Sequence, residues 1–368
     1  MQNSIGDAFL ITAFTHGIHY DAKKLLKPIL DLSMIDLQFY GKKESSNIEK
    51  GKLSEFDFHP ANCEENDVTS VYFETCVKKA IKFQQDNGFK KIIIPNFYEN
   101  EKVEDIIYLI KTINKYIKTL KEEDEEYYMT LPFANHIIID KEKVEEILFA
   151  CTDMDMNFDG YFVVCETKPE FRKKITTDIK VIRNLSTVLK TLKLQSFKTI
   201  YAYANWDAII YLAQTDIDYL TIGSYENLRN FDISRFTNNS SGGPSKGYYF
   251  SEKLLNMVRA EHITLIKGTG NLKLVKNEKN IFSEVILKDG YNWNIHRPDI
   301  NKCNLLAISR LFQEISSISD LKRRKKHVLS LIKNAIEIYK MLESKHVYLD
   351  NESSNYHLSV WKTYLKTS

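Results

Sequence analysis

The sequence predicts an α/β protein: a (β/α)8 TIM-like barrel over residues 1–270 with a mostly helical extension over 271–368 packed on it. Three observations carry this. Short apolar runs alternate with segments of helical periodicity from residue 8 to residue 270, the rhythm of parallel strands joined by helical crossovers. That span fits the roughly 250 residues an eight-fold barrel needs. No glycine-rich turn follows the first apolar run, which weighs against a dinucleotide-binding doubly wound sheet. An open α/β sheet is the alternative.

The clearest unit is residues 198–228, where TIYAYA and DYLTIG flank a periodic segment. The first run ends at Asn205 and Asp207, the second at Gly223 and Ser224. From the N-terminus, AFLITAF (8–14) reads as a buried first strand and MIDLQFY (34–40) as a second or as an inserted hairpin strand. Residues 41–67 form a long polar insertion, a length that usually means a functional or disordered loop. A helix from Val68 precedes the strand KKIIIPNF, whose isoleucine run implies burial on both faces. Then follow a helix over 103–120, the strand YYMTLPFA, a helix over 141–151, the strand FDGYFVVCE and a helix over 171–192, with a break near 176–178. Beyond the central unit, 251–259 reads as helix and HITLIKG as one more strand. Residues 271–293 read as turns and short strands, and helices follow from Ile300.

Composition sets limits on function. The net charge is +2, from 51 Lys+Arg against 49 Asp+Glu, so the surface as a whole is no nucleic-acid coat. The basic run KRRKKH (322–327) is the one dense cluster, and the apolar positions after it suit packing on the scaffold or on a second subunit. Cys63, Cys76, Cys151, Cys165 and Cys303 form neither CxxC nor a zinc spacing, as expected of thiols in a reducing compartment. The apolar part of the N-terminus is too short for a signal peptide or a spanning helix. A cytoplasmic, non-membrane protein is therefore expected.

In a barrel, the carboxyl ends of the strands converge on one mouth. That rule selects Asn96, Asn135, Glu166, Asn205, Asp207, Ser224 and Glu226. Glu166 and Asp207, with Asn205, are the catalytic candidates, because a crowded carboxyl group holds its proton more tightly and serves general acid–base chemistry. Asp207 also suits capping of the following helix. The segment NNSSGGPSKG offers Gly242, Gly243 and Lys246 as an anion cradle, although it is not a P-loop. His16 and His19, with Asp57 and His59 of FDFHP, are the candidates for a divalent metal, and no other cofactor is expected. GxSxG, HExxH and the kinase motifs are absent.

Two functions remain. One is an enzyme of hydrolase or glycosyl/base transferase type, using carboxylates on a phosphate-containing or nucleotide-derived substrate, with a glycosidic bond as one target. The other is a catalytically silent barrel that binds nucleic acid or a protein.

Overall fold

A computed structural model of the chain describes residues 5–19, 27–41, 47–49, 51–62, 73–96, 102–223, 225, 228–237 and 247–368. Its centre is a five-stranded parallel sheet in sequential order: β3 (Lys91–Ile94), β4 (Glu126–Phe133), β5 (Gly160–Cys165), β6 (Lys198–Tyr201) and β7 (Tyr219–Leu220). Two further strands, β1 (Leu10–Thr12) and β2 (Met34–Asp36), form a separate parallel pair, with β2 packed beside β3. Each crossover carries a helix: α1 (Lys78–Asp86) before β3, then α2 (Val103–Ile117), α3 (Lys141–Cys151), α4 (Ile179–Leu194) and α5 (Ala208–Leu212). This is an alternating β–α architecture with a central parallel sheet.

The local causes are plain. All residues of β3 and β5 are buried, because helices cover one face of the sheet and its own side chains fill the other. Helix α2 buries Val103, Ile106, Ile110, Ile113 and Ile117 on one stripe. Asp140 caps α3 by accepting from the N–H groups of Glu142 and Lys143, and Asp178 caps α4 by accepting from Lys180. That second cap fixes the start of α4 at Ile179, so residues 171–178, expected to be helical, form a loop.

The sheet is strongly curled. Lys91 of β3 places its ammonium 5.3 Å from the ring centre of Tyr219 of β7, whereas the two strands would lie about 19 Å apart in a flat sheet with the usual interstrand spacing. At the opposite end the Tyr203 hydroxyl, just beyond β6, donates to Asp36 of β2 at 2.9 Å. Strand order never reverses, so the sheet lacks the switch point of a doubly wound fold. Among the described residues no backbone ladder joins β2 to β3 or β7 to β1.

Several expectations are corrected. The segment read as helix over 251–259 belongs to an antiparallel hairpin, β8 (Tyr248–Ser251) with β9 (Asn256–Arg259), turned at Leu255 with φ 51°. HITLIKG lies in helix α6 (Ala260–Gly268), which buries Ala260, Ile263 and Ile266 at threefold spacing. The chain thus supplies seven parallel strands and a hairpin among the described residues, not eight. The insertion is not a polar excursion where it is described: Leu53, Phe56, Phe58 and His59 are buried, with Phe39, Phe56 and Phe58 meeting edge to face.

The expected short strands of 271–293 are a 3-10 turn and helix α7 (Ile281–Ile286). Helices α8 (Pro298–Ser316), α9 (Leu321–Ser344) and α10 (Leu358–Thr367) complete the chain. Helix α8 packs on α5 and β8, α9 on α5, and α10 on α4 and α9. One apolar cluster runs from Ile11 through the sheet to Leu365. No described helix is long and apolar enough to cross a membrane.

Candidate active site

The carboxyl ends of β5 and β6 build the site. Beyond Tyr201 the chain turns through Tyr203, whose φ of 54° is strained for an aromatic residue. Two bonds to one residue hold it there: Tyr203 N–H donates to the Thr221 hydroxyl and Ala204 N–H to the Thr221 carbonyl, both at 2.9 Å. The turn delivers Asn205 and Asp207 into a cavity of about 10 Å³, lined also by Cys165, Thr167, Lys174, Ile175, Tyr201, Tyr203, Arg229 and Asn230. Such a volume holds about one water molecule.

Asp207 is the unusual group. It stands at the N-cap position of α5 yet makes no side-chain cap bond. It is only 4% exposed, and its Oδ1 is buried without a hydrogen-bond partner among the described residues. Burial pushes its carboxyl up to about 7, partly offset by the backbone N–H groups of residues 205, 207 and 208. Asn205 accepts from Trp206 N–H at 3.1 Å and donates to the Lys174 carbonyl at 3.3 Å.

Glu166 is buried but is not among the residues lining this cavity. Its carboxylate accepts from Asn135 N–H at 3.2 Å and lies 3.4 Å from the Lys168 ammonium. Asn135 returns a bond to the Glu166 carbonyl. The structure therefore brings Asn205 to Asp207 and Asn135 to Glu166. Asn96 is separate: its amide donates to the Thr130 carbonyl and ties the end of β3 to β4.

A second carboxyl network lies at the carboxyl end of β2. Asp36 accepts from Tyr40 and Tyr203 hydroxyls at 2.8 and 2.9 Å and from Gln38 N–H at 2.9 Å, and Gln38 donates to Tyr203 at 2.7 Å. Burial raises its pKa to about 6 against those bonds and the nearby charge of Arg235. Tyr40, Tyr203, Phe231 and Phe236 pack around it. Sequence reasoning missed Asp36, because the apolar run 34–40 continues past it and only the structure ends the strand at this residue. Thr167, Lys174 and Arg229 carried no comparable signal.

The described metal candidates sit in different surroundings. His16 is exposed; Asp57 is exposed with Lys79 at 3.7 Å; His59 is buried, and its Nδ1 accepts from Ala61 N–H. Asp57 and His59 thus face different surroundings, and burial lowers His59 to about 4. The His19 side chain, Ser224, Glu226, Gly242, Gly243 and Lys246 lie outside the described residues. Among the described residues no group of three or more His, Cys, Asp and Glu is placed to hold a metal ion.

The basic run divides along α9. Arg324 is 3% exposed and donates to the carbonyls of Ile318 and Leu212 at 2.7 and 3.2 Å. His327 meets Glu314 at 2.8 Å, while Lys322, Arg323 and Lys326 are exposed.

Comparison with protein-family models and with curated proteins gives no match to this chain. The fold and site define an α/β architecture of the kind enzymes use, with buried polar and charged residues gathered at one end of its parallel sheet.

Proposed function

We propose that the chain is a (β/α) barrel enzyme, its ring completed by β1 and β2, in which Asp207 is the general acid and base. The observation that carries this is the buried, unpartnered Oδ1 of Asp207 at the carboxyl end of a parallel strand. A carboxyl group poised near neutral pH exchanges protons with a substrate at little cost in either direction. Asn205 orients the substrate beside it, and Glu166 is the second carboxylate, one strand away. The substrate is phosphate-containing or nucleotide-derived. Arg229 and Lys174 line the same cavity, with the Lys174 ammonium over the Tyr248 ring, and we assign the phosphate cradle to Gly242, Gly243 and Lys246. Cleavage or exchange at a glycosidic bond suits this set, since it needs a proton donor for the leaving group.

The test is turnover on nucleosides, nucleotides and sugar phosphates, followed as release of base or sugar, by wild type and Asp207→Asn. Wild type turns over at least one of them, and the variant loses about 10²–10⁴-fold in kcat, the usual worth of a general acid or base. A variant as active as wild type removes Asp207 from the chemistry.

The second reading, a silent barrel binding nucleic acid or protein, is favoured by one observation. The mouth is packed with aromatic rings, and its cavity admits about one water. Against it, the basic run is split by the buried Arg324. Wild type inactive on every substrate tested, together with retention on single-stranded nucleic acid, would favour this reading.

A further inference from the structure

The cavity beside Asp207 is too small for any substrate, and one wall of it is unlike the others. Thr167, Lys174 and Ile175 come from residues 166–178, a connection between β5 and α4 with no helix or strand of its own. Lys168 and Arg172 on it have φ of 39° and 61°, and Phe171 near its middle is 88% exposed.

Polar contacts fasten this segment to three separate parts of the molecule. Thr167 donates to Asn230 at 3.0 Å, and the Lys174 carbonyl accepts from Asn205 at 3.3 Å. The Lys174 N–H donates to the Tyr356 hydroxyl at 3.1 Å. The Lys173 ammonium lies 5.3 Å from the ring of Tyr356, and that of Lys174 lies 4.5 Å from the ring of Tyr248. Tyr356 itself is a fixed post, because His357, Leu358 and Trp361 after it are fully buried.

We propose that residues 166–178 are a lid over the Asp207 cavity, latched shut by Tyr356 of the C-terminal extension, and that the lid lifts to admit substrate. The segment is anchored at its ends by the Glu166 N–H bond to the Phe133 carbonyl and by the buried Ile175 and Thr176. The stretch 168–174 between them is held by a few polar contacts and opens locally at lower free energy than the sheet beneath it, as lids that gate many active sites do. The extension thereby acquires a role at the mouth besides packing. The inference takes Asp207 as the site, but the opening can be read without any substrate.

Cys165 provides the readout, because it lines the cavity and is 3% exposed. Labelling with N-ethylmaleimide is mapped by peptide mass spectrometry, with Cys151 and Cys303, both fully buried, as internal controls. Tyr356→Phe removes the latch hydroxyl and keeps the ring, so Cys165 labels about fivefold faster, the equivalent of one lost hydrogen bond, while Cys151 and Cys303 keep their wild-type rates. Lys173→Ala acts in the same direction. An unchanged Cys165 rate in both variants overturns the lid, and so does an equal acceleration at all three cysteines, which would report global loosening. Failure of the catalytic reading shows separately, as undiminished turnover by Asp207→Asn with the labelling pattern intact.

Discussion

At the scale of single residues, buried carboxyl groups set the character of this protein. Asp36 keeps a pKa raised from the ordinary 3.8 to about 6 although two tyrosines and a backbone N–H donate to it. Burial therefore outweighs hydrogen bonding at this group. Between those two values the folded chain holds a proton that the unfolded chain has released. The stability Asp36 contributes is thus complete at low pH and is lost as pH rises through 6. We expect the stability of wild type relative to Asp36→Asn to fall between about pH 4 and 6, at about 1.4 kcal/mol per pH unit, in urea denaturation across that range. Subtracting the variant removes the similar slopes of Asp207 and Glu252, also raised to about 7. A difference independent of pH would mean that Asp36 titrates as an exposed carboxylate.

At the scale of elements, what the sequence revealed followed from burial. Strand β5 and the three isoleucines of β3 form unbroken apolar runs because both faces are covered, so composition alone located them. The hairpin at β8 and β9 was misread because Leu254, Leu255 and Val258 imitate a helical stripe while the turn at Leu255 leaves no glycine behind. Helix α6 was misread because HITLI is rich in β-branched residues, and tertiary packing of Ala260, Ile263 and Ile266 overrode that preference. The basic run is the third case, since a charged string does not declare which of its members turns inward. Arg324 does, joining α9 to the ends of α5 and α8 through the carbonyls of Leu212 and Ile318 and a 2.7 Å pair with Asp216. Arg324→Met should cost roughly 1–3 kcal/mol by leaving those carbonyls without a donor. Lys326→Ala should stay within about 0.5 kcal/mol, as surface changes do. Equal effects in chemical denaturation would mean that the run is one uniform solvated face.

At the scale of the whole molecule, the rule that parallel strands present ligands at their carboxyl ends selected Asn205 and Asp207, which line one cavity, and Asn135 and Glu166, which bond to each other. It could not say that Cys165 and Glu166, adjacent in the chain, would serve different surroundings, because successive strand side chains take opposite faces. Nor could it find Lys174 or Tyr356, which reach the mouth from a loop and from the far end of the chain. The curl of the sheet links these distant parts: it brings β2 to β6 at one end and β3 to β7 at the other. It also encloses a small polar space beside one carboxyl group. The state of that group is the most direct check on everything built upon it. Carbon-13 labelling of aspartate side chains, with Asp207→Asn to assign the resonance, allows its titration to be followed by NMR. A midpoint near 7, some three units above an exposed aspartate, is expected of a buried acid–base group. A midpoint near 4 would mean that Asp207 is solvated and ionised at neutral pH, and the acid–base role assigned to it would fall.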